Sequence, residues 1–132
     1  MMSPQQSEVT THVERAVPGT ENWRNLHADH LARYVWATDH VRGRHVLDAG
    51  TGPGYGAAIL KEAGALSVQA VDIDAPTIEM ARQTYPIEGL SFFVDDCETL
   101  SSVRGPIEVI CSFENLEHLQ HPERFLEAAA RL

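Results

Sequence analysis

Residues 45–60 of the chain, HVLDAGTGPGYGAAIL, decide the fold. A short apolar run ends at Asp48, glycines follow at positions 50, 52, 54 and 56, and helix-forming residues come next. Glycine in a turn adopts positive φ and lets a ligand lie directly against the backbone, which a Cβ would block. A helix after the turn would direct its free N–H groups into the same crevice. The stretch therefore predicts a buried strand, a turn like a phosphate loop, and a helix.

Two kinds of nucleotide site fit this turn. Gly52, Gly54 and Ala57 satisfy the G-x-G-x-x-G/A fingerprint of dinucleotide-binding proteins. Asp48 lies two residues before Gly50, however, which gives D-x-G-x-G-x-G. A carboxylate beside the turn would repel a pyrophosphate and would favour a ligand that carries an ammonium or sulfonium group. The pattern therefore favours S-adenosylmethionine over NAD.

The segment VLDAGTGPGYG resembles motif I of the class I S-adenosylmethionine-dependent methyltransferases. From about position 13 to position 132, the chain is similar to the type 11/12-like methyltransferases, a small bacterial branch often encoded beside sugar-modifying enzymes. Four patterns of that branch recur here in order: E-R-x-x-P, R-Y, G-Y-G and F-E-x-x-E-H-L. They fall at Glu14, Arg15 and Pro18; at Arg33 and Tyr34; at Gly54, Tyr55 and Gly56; and at Phe113, Glu114, Glu117, His118 and Leu119. The resemblance implies an α/β, Rossmann-like fold, with a parallel sheet covered by helices on both faces.

The strand pattern stops short of the full sheet of that family. Residues 66–73, 90–94 and 107–113 are predicted as the second to fourth strands, and 123–132 as the last helix. The family has seven strands in the order 3-2-1-4-5-7-6, so the C-terminal strands are missing and the fourth would be an open edge. Either the chain is a fragment or truncated product, or a partner chain or self-association covers that edge. We expect a disordered tail at 1–12 and a partial S-adenosylmethionine-binding methyltransferase domain at 13–132.

Composition narrows the range of functions. The 132 residues make one domain, and 43% of them are hydrophobic, enough for a core. The chain has 19 acidic residues against 10 Lys and Arg, which disfavours nucleic acid because that affinity depends on neutralising phosphates. Cys97 and Cys111 form no C-x-x-C pair and indicate reduced thiols. No run approaches the ~18 apolar residues of a membrane span. We therefore expect a cytoplasmic protein with a small-molecule substrate.

A helix predicted at 26–41 carries two pairs of polar residues. His27 and His30 lie three residues apart, but no acid or cysteine set completes a metal site, so we predict none. Arg33 and Tyr34 could together hold the carboxylate of the methionine moiety. The alternative is a packed tyrosine beside a surface arginine.

Asp72 is the candidate acid for the cofactor ribose. It closes the second predicted strand about 20 residues after Gly50, the offset at which an acid meets the hydroxyls of an adenosine cofactor. A carboxylate can accept hydrogen bonds from both hydroxyls. The resemblance also places Ile73, the next residue, and Phe113 at the cofactor.

Acids follow the third predicted strand as well. By the resemblance, Asp96 takes the exocyclic amine of adenine, and the backbone N–H of Cys97 meets a ring nitrogen. The adjacent Asp95 is expected to stay solvated, because burying two neighbouring carboxylates without partners is unfavourable.

His118 is the candidate catalytic base, since an ordinary histidine titrates near neutral pH. Glu117 could orient it, and a structural histidine at a helix start is the alternative. The predicted function is methyl transfer from S-adenosylmethionine to a small molecule, such as a sugar or secondary metabolite. Two alternatives remain: a truncated cofactor-binding remnant without turnover, and an NAD-binding Rossmann domain.

Overall fold

The computed structural model describes residues 21–132, with side chains from residue 28 onward. The strands are β1 (His45–Ala49), β2 (Ser67–Asp72), β3 (Leu90–Val94) and β4 (Val109–Cys111). The helices are α1 (Glu21–Ala37), α2 (Tyr55–Glu62), α3 (Ala75–Thr84) and α4 (Pro122–Ala130), with 3-10 turns at Thr38–His40 and Leu116–His118. The expected disordered tail and most of the segment before the first predicted helix lie outside the described residues.

The four strands form one sheet in the order β3-β2-β1-β4. All three pairings are parallel, with His45 opposite Ser67, Val46 opposite Val109 and Val68 opposite Leu90. This confirms the α/β class and the strand order. Because parallel strands end at the same edge, the segments after β1, β2, β3 and β4 meet in one crevice there, and ligands bind at such a crevice in open α/β sheets.

The sheet is buried on both faces. Val46 and Leu47 are neighbours on β1 and point to opposite faces, yet both are fully buried. Val46 belongs to a core cluster with residues of α1, α2 and α3, whereas Leu47 packs in a second cluster with Phe125 and Ala128 of α4. Burial of each such side chain contributes about 1.5–3 kcal/mol. The burial of both neighbours therefore follows from the central place of β1 in a doubly covered sheet.

Several element boundaries differ from the sequence prediction. Helix α1 begins at Glu21 and ends at Ala37, earlier at both ends than predicted, and Gly56 lies inside α2 and not in the turn. Strand β4 spans only three residues, which are the residues that pair with Val46 to Asp48 of β1. It begins and ends where its pairing with β1 begins and ends. Helix α3 begins as predicted, since the Asp74 side chain accepts a hydrogen bond from the Thr77 N–H at 3.1 Å.

The two edge strands of the sheet, β3 and β4, have different surroundings. At the β3 edge, the Arg82 guanidinium donates to the Phe92 carbonyl from Nε at 3.1 Å and Nη2 at 2.7 Å. At the β4 edge, the strand lies in a groove of about 590 Å³ between α1 and α4. Trp36 and Leu126 border this groove and are 64% and 58% exposed. The groove beside β4, called here the β4 groove, is therefore an open edge with apolar walls.

Candidate cofactor site

The glycine turn is fixed to β2 and exposes its backbone to the crevice. The N–H groups of Gly50 and Thr51 both donate to the Val71 carbonyl, at 2.9 and 2.8 Å. Gly50, Gly52 and Gly54 have φ values of 79°, 57° and 90°, in the left-handed region that favours glycine. A Cβ on Gly52 would meet no atom within 4 Å, whereas one on Gly50 would lie 2.7 Å from the Asn115 side chain. The bare backbone at Gly52 thus faces open space that a ligand can fill.

Asp72 lies beside this turn at the end of β2. Its Oδ2 accepts the Gly52 N–H at 2.9 Å and its Oδ1 accepts the Asp74 N–H at 3.0 Å. The two bonds fix the orientation of the carboxylate, which is 8% exposed. Because each carboxylate oxygen can accept more than one hydrogen bond, the group can also receive a pair of hydroxyls.

The two acids after β3 differ in environment, and the expectation for Asp95 was wrong. Asp95 is 6% exposed and accepts hydrogen bonds from the Asp96 N–H at 2.8 Å and the Ser102 N–H at 2.9 Å, among others. These donors compensate for its burial. Asp96 is exposed, and its Oδ1 accepts the Glu98 N–H at 2.8 Å. Burial raises the pKa of the Cys97 thiol to about 11, so the thiol stays protonated near neutral pH.

Asp48 is fully buried under the turn, and Tyr34 holds it. The Tyr34 hydroxyl lies 3.1 Å from Oδ1 and 3.0 Å from Oδ2 of the carboxylate and donates to it. Burial raises the pKa of Asp48 from 3.8 to about 6, against the lowering effect of the Thr51 and Tyr34 hydroxyls. The carboxylate of Asp72 raises this pKa further. With no exposed surface, Asp48 would act on a ligand cation through space and not by contact.

Tyr34 is packed, in line with the second of the two interpretations offered for the Arg33 and Tyr34 pair. Its ring lies against α2 so closely that a Cβ on Gly56 would be 2.1 Å from it. The ring also makes edge contacts with Tyr55 and Phe113, at centroid distances of 5.9 and 5.0 Å. Arg33 pairs instead with Glu114 in the segment after β4, with Nη2 2.6 Å from Oε1. In this structure, Tyr34 and Arg33 therefore contact different residues.

Comparisons with known proteins show the family of this chain. Residues 46–132 match the family profile described as a methyltransferase domain. The chain belongs to this methyltransferase domain family. It is 28% identical over 119 residues to a protein of Mycolicibacterium smegmatis named probable S-adenosylmethionine-dependent methyltransferase, covering 90% of this chain and 45% of that protein. It is 29% identical over 102 residues to a ubiquinone biosynthesis O-methyltransferase of Coxiella burnetii, covering 76% and 43%.

A solved structure is similar along nearly the whole methyltransferase domain. It is a TehB-like S-adenosylmethionine-dependent methyltransferase from Corynebacterium glutamicum, with a TM-score of 0.66 and 27% identity. The match covers 98% of this chain and 67% of that one. The chain spans less than half the length of the curated relatives named above.

The residues of the crevice fit S-adenosyl-L-methionine, the cofactor in the names of the Mycolicibacterium smegmatis relative and the Corynebacterium glutamicum structure. The open backbone at Gly52 leaves room for the ligand, and Asp72 beside it offers oriented acceptors for a diol. Asp96 is exposed at the end of the adjacent strand, where it can accept from an amine. Ile73 is exposed next to Asp72, and Phe113 is half-buried beside Tyr34.

His118 lies on the 3-10 turn Leu116–His118, beyond the end of β4. Its Nε2 is 3.5 Å from Oε1 of Glu117, and both side chains are about half exposed. The geometry allows the carboxylate to orient the ring, and the catalytic role of His118 stays a prediction. Among the side chains of residues 28–132, no three His, Cys, Asp or Glu gather as metal ligands would. No helix in the described part of the chain is long and apolar enough to cross a membrane.

Sequence reasoning missed two contributions from the segment after β4. Asn115 packs against Gly50, and its Nδ2 donates to the Ser112 Oγ at 3.1 Å. Glu114 has a φ of 53°, which is unusual for a residue with a side chain, and it pairs with Arg33. The F-E-x-x-E-H-L pattern marked this segment, but spacing alone does not reveal contacts to a helix about 80 residues earlier.

Proposed function

We propose that this methyltransferase domain transfers a methyl group from S-adenosyl-L-methionine to a small-molecule acceptor. The observation that carries the proposal is the Asp72 carboxylate, held by two backbone N–H groups beside the open glycine turn. A hydroxyl acceptor is favoured, because one relative is named an O-methyltransferase of ubiquinone biosynthesis. The excess of acidic residues disfavours a nucleic-acid substrate.

S-adenosyl-L-methionine would supply an activated methyl group on a positively charged sulfur. Asp72 would bind the ribose hydroxyls, Asp96 would accept from the adenine amine, and the Cys97 N–H would donate to the ring. Phe113 and Ile73 would exclude water from the two sides of the bound adenosine. His118 would accept the proton that the acceptor hydroxyl loses as its oxygen bonds to the methyl carbon. Holding the two reactants in line is the main catalytic contribution of such a site.

The direct test is calorimetric titration of the purified chain with S-adenosylhomocysteine, with NAD as the parallel control. We expect saturable binding of S-adenosylhomocysteine and none of NAD. Binding of NAD alone would support the dinucleotide alternative, which has no use for Asp48 or Asp96. Binding of S-adenosylhomocysteine without methylation of any acceptor in a panel of sugars and phenols would support the non-catalytic remnant.

Replacement of the ribose acid should weaken this binding strongly. Asp72→Ala removes the charged acceptors, and hydrogen bonds to charged groups contribute about 1.5–3 kcal/mol. We expect the Kd of S-adenosylhomocysteine to rise about 10- to 100-fold. The control Glu117→Ala removes an exposed acid near the crevice, so its Kd should stay within about twofold of the wild type. Equal affinities in the two variants would show that Asp72 is not the ribose acid.

We also infer that the β4 groove binds one further extended strand, contributed by another polypeptide segment. Glu108 N–H donates to the His45 carbonyl, so the backbone groups of Val109 and Cys111, which alternate with it, point to the open edge. The apolar walls at Trp36 and Leu126 suit alternating apolar side chains.

The isolated chain should self-associate, because its β4 groove is uncovered. We expect light scattering to show concentration-dependent association, and Leu126→Lys, which charges the wall of the groove, to reduce it several-fold. The control Met80→Lys charges an exposed apolar residue of α3, away from the groove, and should leave association unchanged. A discrete dimer that Leu126→Lys dissociates would show that a second copy is the occupant. A monomer at all concentrations would contradict the inference.

A further inference from the structure

The buried carboxylate of Asp48 has a neutral hydrogen-bond donor and, among the described side chains, no cationic partner. Tyr34 donates to both of its oxygens, and within residues 28–132 no lysine, arginine or histidine forms an ion pair with it. Arg33, on the same helix as Tyr34, is paired with Glu114. A buried carboxylate without a counter-charge is unfavourable, and a cation nearby would relieve it. The carboxylate of Asp48 lies beside the site proposed above for a cationic cofactor.

The position of Asp48 couples it to the crevice. It lies at the end of β1, two residues before Gly50, and the N–H of Gly50 is bonded to the carbonyl that precedes Asp72. The ring of Tyr34, which holds the carboxylate, also contacts Phe113 at the crevice end of β4. The influence of the Asp72 carboxylate on the pKa of Asp48 agrees with this coupling. A charge placed at the crevice therefore acts on Asp48.

We propose that Asp48, positioned by Tyr34, distinguishes the cationic cofactor from the neutral product and thereby favours product release. This inference rests on the proposed function. Methyl transfer breaks the bond between sulfur and the methyl carbon, forms a bond to the acceptor, and leaves the electron pair on sulfur. The sulfonium thus becomes a neutral thioether, while the acceptor proton leaves to the base or to water. The attraction to Asp48 is present before the transfer and absent after it.

The two tyrosines and the cysteine around Asp48 do not titrate between pH 5 and pH 8. Burial raises the pKa of Tyr34 on α1 and of Tyr55 on α2, and it raises the pKa of Cys111 on β4 to about 12, so all three stay neutral from pH 5 to pH 8. Asp72 on β2 is the remaining carboxylate, Thr51 contributes a hydroxyl, and Arg33 is held by Glu114. A substitution of Asp48 itself separates the effect of Asp48 on the pH dependence from the effect of Asp72.

The test compares the affinities of S-adenosylmethionine and S-adenosylhomocysteine between pH 5 and pH 8. The two ligands carry the same amino, carboxylate and adenosine groups, so the ratio of their Kd values isolates the charge on sulfur. Above the pKa of about 6, Asp48 is charged and attracts the sulfonium, and protonation at lower pH removes this attraction. We expect the preference for S-adenosylmethionine to fall about tenfold from pH 8 to pH 5.

Two variants assign the effect to the named residues. Asp48→Asn should give a ratio that does not change with pH. Tyr34→Phe keeps the ring against Gly56 but removes the hydroxyl that lowers the pKa of Asp48, so the midpoint of the profile should move to higher pH. A purely structural role for Tyr34 would change both affinities without moving the midpoint. The control Tyr85→Phe, at the end of α3, should leave the midpoint unchanged.

The outcomes separate this inference from the proposed function. If the wild type binds both ligands with a ratio that does not change with pH, the role of Asp48 is wrong and the cofactor site stands. If the folded wild type binds neither ligand, the proposed function fails as well. A wild-type profile that persists in Asp48→Asn would assign the pH dependence to another group and would overturn the inference.

Discussion

Gly56→Ala should destabilise the protein by about 3 kcal/mol or more, although alanine is normally the better helix residue. Gly56 lies inside α2, where Gly to Ala ordinarily gains about 0.5–1 kcal/mol. Here the added Cβ would lie 2.1 to 2.3 Å from three ring atoms of Tyr34. Overpacking of a core commonly costs 1–3 kcal/mol and sometimes more. Tyr34 would have to leave its place, and its hydrogen bond to Asp48 would be lost with it.

A double mutant distinguishes this clash from a general defect. We expect denaturant unfolding to show that the sign of the Gly56→Ala effect reverses in a Tyr34→Ala background. Without the ring, the methyl group has room, and the variant should be about 0.5–1 kcal/mol more stable than Tyr34→Ala alone. If Gly56→Ala is as harmful without the Tyr34 ring as with it, the close contact between α1 and α2 is not the cause.

Asp48→Asn should stabilise the fold at neutral pH while it weakens binding of the cationic cofactor. Asp48 binds its proton more tightly in the native state, with a pKa of about 6, than its ordinary value of 3.8 implies for the unfolded chain. The contribution of Asp48 to stability therefore falls as the pH rises from 3.8 to 6 and stays low above that range. Two pKa units correspond to about 3 kcal/mol, which is the upper limit of the expected gain.

Thermal unfolding of both proteins from pH 3.5 to pH 8 measures this effect. The difference in free energy of unfolding should be largest above pH 6 and should vanish as Asp48 becomes protonated in the wild type. The control Asp39→Asn replaces an exposed acid in the turn after α1 and should show no such profile. An Asp48→Asn protein that is less stable than the wild type at pH 8 would contradict an uncompensated charge at this position.

Most of the fold and the centre of the site follow from local sequence patterns. The glycine turn, the N-cap at Asp74 and the apolar strands depend on residues close in the chain, so their positions were predicted well. The offset from Gly50 to Asp72 identified the strand-end acid, because the βαβ unit fixes how far the chain travels before it returns to the crevice. The order of the strands followed from the resemblance to the family.

The remaining features depend on contacts between distant residues. The burial of Asp95 was missed because Ser102 supplies its donors only after the loop has folded back. The role of Tyr34 depends on a carboxylate 14 residues away and on the absence of a side chain at Gly56. The end of β4 is set by pairing with β1, although the apolar residues Ile107 and Phe113 lie outside the observed strand.

The place of β1 between β2 and β4 also sets an order of assembly. His45 reaches Ser67 across 22 residues of chain, but it reaches Glu108 across 63. Closing the longer loop costs about 1 kcal/mol more in chain entropy, and during synthesis its far end emerges later. We therefore expect amides of β2 to gain protection from hydrogen exchange before those of β4. The glycine turn and Asp72 would then reach their positions on the nascent chain first. Phe113 would pack beside Tyr34 at the crevice later.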